Sequence, residues 1–375
     1  MSTAVAVRPL AVTGCGVVSP AGLGLDRLGH LLHAAVPGNA EPAGDDAADF
    51  PPGPLRAVPE FRLADHLGRK GTKNLDRMTA LGLIATKLAL EQAGAELTAE
   101  ERDATGVALG TSTGSIRSAS AVSRDTLVQE RPYQVNPSQF PNTVMNSCAG
   151  QLAIWNSLRG VNATLAGGQL SSLFAMRYAR VAISQGNAAR LVVGGIEELS
   201  PQYAWAWHRA GALTPGTALG EGCAVFVVED AAGLAADRPV LAEVLACEVG
   251  FYGATRRPGR TEGLALSVRR ALDRSGVAPE QVDAVSLGAT SYSALNRVEQ
   301  RALRAVLGAL PAQVSVHDVV GECYSASGAM QLAALLAHWQ RVPAPRPRTA
   351  LVTSVGLDGN VGALVVREGR GGRPD

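Results

Sequence analysis

Apolar residues recur along this chain in two alternating rhythms. Short, β-branched stretches bounded by glycine predict buried strands at residues 5–18, 106–110, 163–166, 190–194, 223–228, 240–249 and 284–287. Longer stretches with apolar side chains three and four residues apart predict helices at 25–35, 76–93, 171–185, 263–275, 297–307 and 326–338. The 76–93 segment is apolar nearly all round, which marks a helix buried on most sides. A last strand pair, 350–353 and 362–366, is predicted around the turn Leu357-Asp358-Gly359-Asn360. Alternation of this kind argues for an α/β fold with largely buried sheets. Between the first two helices, 37–54 is rich in Pro, Gly and Asp without apolar period and reads as a surface loop, and 368–375 reads as a loose polar tail.

Composition narrows the function. With 375 residues, 46% of them apolar and 18% charged, the chain is long enough for about two structural units and too apolar to be disordered. Its 34 basic and 33 acidic residues leave a formal charge of +1, so no positive field gathers phosphates or anionic lipid, and neither nucleic acid nor a membrane is an expected partner. No run of about 18 apolar residues and no N-terminal leader is present, which predicts a cytoplasmic protein. Five cysteines (Cys15, Cys148, Cys223, Cys247 and Cys323) are an odd number, widely spaced and without a CxxC pair. They predict buried, reduced thiols rather than a disulfide frame or a metal site.

Six motifs then fall in register: VTGCGVVSPAGLG, DRMTALGLIATKLALEQAG, LRGVNATLAGGQLSS, ARLVVGGIEELS, GEGCAVFVVED and SVGLDGNVGALVV. Together they resemble a β-ketoacyl synthase of the thiolase superfamily over residues 8–366. The resemblance implies a thiolase-like αβαβα five-layered sandwich made of two similar halves, divided here as 1–232 and 233–375. It also implies a dimer formed through the strand before the catalytic elbow, here Ala163, Thr164, Leu165 and Ala166.

The positions that carry catalysis in such enzymes are altered. The nucleophilic cysteine falls on Gln169, followed by Leu170, Ser171 and Ser172. A carboxamide has no nucleophile for acyl transfer, so no thioester intermediate forms there. The histidine of a His-Gly-Thr-Gly-Thr pattern falls on Gly288 in VSLGATSYSALNRVEQ, and the histidine of a Gly-His pattern on Glu322 in VSVHDVVGECYSASGA, with His317 near an expected lysine. Gln169 is expected either to pack as a buried polar residue or to satisfy the N–H donors that open the next helix. Tyr324, Ser325 and Ser327 read as helix-start residues after Glu322, with Ser327 or Ser325 the expected cap.

Three losses in a well-kept frame resemble the chain length factor, or ketosynthase β subunit, of type II polyketide synthases. That resemblance implies a non-catalytic subunit, with no bound cofactor or metal, that pairs with a catalytic ketosynthase α subunit. The acyl chain would arrive on the phosphopantetheine of an acyl carrier protein, and the subunit would limit chain length by filling the tunnel. The implied tunnel residues are Ile116, Ala119 and Ser123, mostly small. Arg256, Arg257 and Arg260 form a small basic cluster that suits either solvent or an acidic carrier protein. The alternative is a Gln-for-Cys malonyl-carrier-protein decarboxylase supplying a starter unit, against which Gly288 and Glu322 weigh. A relocated thiol, Cys148 or Cys323, is the other enzymatic alternative. The chain departs from the family in three places: LTPGTALGEG lacks a Pro-Phe-Asp stretch, Leu357 replaces a gating phenylalanine, and Asp358 replaces a glycine.

Overall fold

The structure is a computed structural model and describes residues 8–42, 47–94, 96–253 and 259–370. Ten strands form one continuous hydrogen-bonded path: β1 Leu10–Ser19, β2 Thr105–Gly110, β3 Asn162–Leu165, β4 Arg190–Glu197, β5 Gly222–Asp230, β6 Ala242–Phe251, β7 Ala284–Leu287, β8 Ala312–Gln313, β9 Thr349–Val355 and β10 Asn360–Glu368. Their spatial order is β8-β7-β9-β10-β6-β1-β5-β4-β2-β3, with a two-residue strand, Gly22–Leu23, paired to β1 off the path. Strands β1–β5 and β6–β10 repeat the same order, third-second-fourth-fifth-first. The two sets meet where Leu10–Val12 of β1 pairs antiparallel with Ala242–Val244 of β6.

Helices occupy three layers around these two sheets. In the middle, Ser171–Ser184 and Ser327–Arg341 lie between the sheets, and Leu173, Met176, Met330 and Leu335 share one core with Val193 and Phe226 on one side and Val352 and Leu364 on the other. The second helix is the more enclosed: apart from the buried Gln331, SGAMQLAALLAHWQR carries small or apolar side chains all round as far as its last turn, which alone reaches water, whereas the first exposes Arg177 and Val181. On the outer face of the first sheet, Arg77–Gln92 and Ser147–Asn156 bury Leu81, Ile84 and Leu152 against Val192 and Val225. On the outer face of the second, Arg260–Ser275 and Ser293–Leu307 bury Leu264, Val268 and Leu303 against Val285 and Leu351. The result is the expected αβαβα sandwich.

Most predicted elements are present with ends moved by a few residues. The first strand begins at Leu10, after Arg8 and Pro9, and residues 5–7 of the predicted strand lie outside the described residues. The predicted helix at 297–307 begins earlier, at Ser293. Helices with no counterpart in the sequence reading include Ser147–Asn156 and Pro201–Ala210. The first, SCAGQLAIWN, has almost no apolar periodicity and is held by burial of Cys148, Ala149 and Leu152. The second carried a legible start, Ser200 accepting from the Tyr203 N–H at 3.3 Å with Pro201 at the first helical position. Among the described residues no helix is long and apolar enough to cross a membrane.

Candidate functional site

Beyond β3 the chain turns sharply through Gly167 and Gly168 into a single 3₁₀ turn, Gly168–Leu170, and then into the middle helix Ser171–Ser184. Gly168 takes φ +57°, a left-handed conformation costly for a side chain, and a Cβ there would stand 3.0 Å from the Tyr324 hydroxyl. Side chains lock the elbow. The Gly168 N–H donates to Ser112 Oγ at 2.8 Å and the Gly167 N–H to Ser171 Oγ at 3.0 Å. At its apex Gln169 is 1% exposed. Its amide does not serve the N–H donors of the following helix, as one sequence expectation had it. Instead Oε1 accepts from the Leu357 N–H at 3.4 Å, and the Gln169 carbonyl accepts from Ser354 Oγ at 3.3 Å. Gln169 thus ties the elbow to the β9–β10 turn.

Gly288 follows β7, and its N–H donates to Glu299 Oε1 at 3.1 Å while the Ala289 N–H donates to Oε2 at 2.9 Å. Thr353 Oγ1 donates to the same carboxylate at 2.7 Å. A Cβ built on Gly288 would lie 2.6 Å from the Thr353 carbonyl oxygen and 3.2 Å from Gln331 Oε1. No imidazole fits there without moving β9. Glu322 is fully buried and caps the start of the helical segment after it: Oε1 accepts from the Tyr324 N–H at 2.8 Å and from Ser327 Oγ at 3.0 Å. A carboxylate, rather than the serines expected from sequence, therefore satisfies this helix opening. His317 is buried with Nε2 3.7 Å from Glu322 Oε2.

Tyr292, 1% exposed, brings these positions together, its hydroxyl lying against both Gln169 and Glu322. Burial first, and then the Glu322 carboxylate, push its ionisation well above the usual phenol range. Trp207 of the helix Pro201–Ala210 packs on this centre, with ring centroids 6.0 Å from Tyr292, 5.1 Å from Tyr324 and 6.2 Å from Tyr203. Trp207 thus joins Tyr203, Tyr292 and Tyr324 in one aromatic cluster, which meets Gln169 and Glu322 through Tyr292. The cysteines offer no accessible thiol. All five are buried and free, and burial pushes the Cys148 and Cys323 thiols well above their ordinary range. The relocated-thiol alternative is thereby disfavoured.

Comparison with known proteins places this frame. The family model for the β-ketoacyl synthase N-terminal domain matches residues 7–233, and the model for the C-terminal domain matches residues 241–346. The chain belongs to the β-ketoacyl synthase family. It is 26% identical to 3-oxoacyl-[acyl-carrier-protein] synthase 2 of Coxiella burnetii, over 86% of this chain and 84% of that one. It is 28% identical to the tetracenomycin polyketide synthase ketoacyl synthase beta subunit of Streptomyces glaucescens, over 96% of this chain and 99% of that one. Among solved structures, the ishigamide ketosynthase/chain length factor is 34% identical with a TM-score of 0.84, covering 96% of this chain and 99% of its own. The thiolase-like fold and the resemblance to ketosynthase β subunits are both borne out.

This β-ketoacyl synthase relative also buries acids that titrate far from their ordinary range. Burial raises Glu197 to about 8, Glu198 to about 7 and Glu299 to about 7, against hydrogen bonds that pull each back down. All three bind a proton more tightly folded than unfolded, so between the ordinary glutamate range and about pH 8 the native state holds protons that the unfolded chain has released. Stability is therefore expected to fall as pH rises through this window, by on the order of 1 kcal/mol per pH unit for each group. Urea midpoints measured at pH 5.5 and 8 check this, and Glu299→Gln should flatten the slope.

The remaining expected residues lie at the surface. Ile116 and Ala119, on the helix Ile116–Val128, are half-buried, and Ile116 packs on the cluster of Ala57, Leu199 and Tyr203. Ser123, expected to face a tunnel, is exposed within this chain. Ala163, Thr164 and Leu165 are half-buried on β3, the terminal strand of the sheet path, and Ala166, just past its end, is exposed. Leu127, Val128, Tyr133, Phe140, Met145 and Ile154 leave large apolar side chains in solvent between the helix Ile116–Val128 and β3. Of the basic cluster, Arg256 and Arg257 lie outside the described residues, and Arg260 donates to the Leu357 carbonyl at 2.8 Å.

Proposed function

We propose that this chain is the non-catalytic chain length factor of a type II polyketide synthase, paired with a catalytic ketosynthase α subunit. The observation that carries this reading is Gln169, buried at the elbow apex and bonded to the Leu357 N–H and to Ser354. Under this reading the elbow is kept for its shape, with its acyl chemistry removed. Residues 1–232 and 233–375 form the two halves, which the repeated strand order supports. The edge strand Ala163 to Ala166 and the apolar surface around Phe140 and Ile154 meet the partner. Ile116, Ala119 and Ser123 close the end of a tunnel whose acyl chain is delivered on the phosphopantetheine of an acyl carrier protein. No cofactor is bound. The starter-unit decarboxylase alternative needs imidazoles at positions where Gly288 has no room for one and Glu322 is committed to a helix start.

Two experiments test the loss of chemistry. Incubated by itself with acyl carrier protein, the chain is expected to keep its unmodified intact mass and to release no carbon dioxide from malonyl carrier protein above background. Gln169→Cys is expected to leave this unchanged, because no group remains to hold the thioester carbonyl or the malonyl carboxylate. Carbon dioxide release by the wild-type chain alone would overturn the proposal in favour of the decarboxylase.

A further inference from the structure

A helix ordinarily takes its rotational setting from the side chains that it buries. The helix Ile116–Val128 buries none completely, and its far end carries Leu127 at 84% and Val128 at 63% exposure. Its first turn, in contrast, is bound to a rigid support. Glu198 follows directly on β4, all eight of whose residues are buried, and is itself 1% exposed. One oxygen of that carboxylate, Oε1, accepts from Ser115 Oγ, the helix cap, and from the Arg117 N–H, each at 3.2 Å. Ser118 Oγ reaches Asp76 Oδ2 at 3.5 Å. The turn before the helix is held by the neighbouring acid, since Thr113 Oγ1 donates to Glu197 Oε1. A buried carboxylate at a helix N-terminus meets both an otherwise orphaned N–H donor and the positive end of the helix dipole.

We infer that Glu198 is a positioning residue that fixes the rotation of the helix Ile116–Val128 and thereby sets which side chains close the acyl tunnel. The inference rests on the proposed tunnel role of Ile116 and Ala119 and extends it to a residue that touches no substrate. Successive helical positions are about 100° apart, so even a partial loss of the clamp turns Ile116 and Ala119 away from the space they fill. Glu198 acts on the product only through this helix.

The test uses the 1:1 complex with the catalytic subunit and reads product lengths by mass spectrometry. Glu198→Ala is expected to lower the share of the principal product several-fold in favour of neighbouring lengths, with the complex intact and malonyl consumption near wild type. Glu198→Gln keeps an oxygen acceptor for Ser115 and Arg117 and is expected to restore the wild-type distribution. A purely structural role would lower complex yield in both variants and leave the distribution alone, which would overturn the inference. Should Glu198→Ala fail to assemble, Ser115→Ala removes the cap hydroxyl and is expected to broaden the distribution in the same direction. Ile116→Trp, made in parallel, separates the two levels of the argument. If it shortens the product while Glu198→Ala and Ser115→Ala change nothing, the clamp is wrong and the tunnel stands; if Ile116→Trp also changes nothing, the tunnel reading falls and the clamp with it.

Discussion

Thr164→Pro is expected to abolish the 1:1 complex with the catalytic ketosynthase while leaving the isolated subunit folded. The reason lies in the register of β3. The Val107 N–H donates to the Val161 carbonyl and the Thr111 N–H to the Leu165 carbonyl, so with the two-residue period of a strand the backbone groups of 161, 163 and 165 face β2. Those of Asn162 and Thr164 point to the open edge of the sheet. Proline at 164 removes one outward donor and spares the inner ladder, and proline is tolerated on edge strands. Ala163→Pro removes an inward donor and is expected to destabilise the subunit itself. Native mass spectrometry and circular dichroism distinguish the two outcomes. If Thr164→Pro leaves the complex intact, β3 is not the interface strand.

Ala119→Trp is expected to shorten the polyketide made by the complex. A close-packed tunnel end gains no room for an indole, and forcing extra atoms into such an interior costs about 1–3 kcal/mol. Applied to the final extension alone, that cost slows it by roughly 5- to 150-fold, enough to shift the principal product to a shorter chain. Earlier extensions do not reach the tunnel end and should proceed at wild-type rates. Product masses from the reconstituted complex check this, with total malonyl consumption as the control for assembly. An unchanged principal product from an intact complex would remove Ala119 from the tunnel.

Much of this account was legible in the sequence because it depends on local pattern. Buried strands such as residues 223–228 and the middle helix after Gln169 announce themselves by composition alone, and Gln169 is singled out once the motifs around it are in register. What stayed hidden depends on contacts across long separations. Gly288 reads as a missing histidine, yet the Thr353 carbonyl on a strand far along the chain is what excludes a side chain there. Trp207 and Tyr292 give no sign in sequence that they pack together over the elbow. Ser123 was expected to face a tunnel, and within this chain it is exposed although the helix that carries it packs against the helix Pro201–Ala210. The paired acids in VVGGIEELS were a usable signal: two carboxylates at the end of a buried strand need donors, and Thr113, Ser115 and the Arg117 N–H supply them.

The central claim is that this subunit shapes and completes a synthase without performing the chemistry. Its most direct test is co-expression of the chain with the ketosynthase of its pathway, followed by native mass measurement and condensation assays on each subunit alone and on the pair. The account predicts a 1:1 heterodimer that elongates malonyl carrier protein only when both subunits are present. A stable homodimer of this chain that releases carbon dioxide or condenses acyl groups unaided would contradict it.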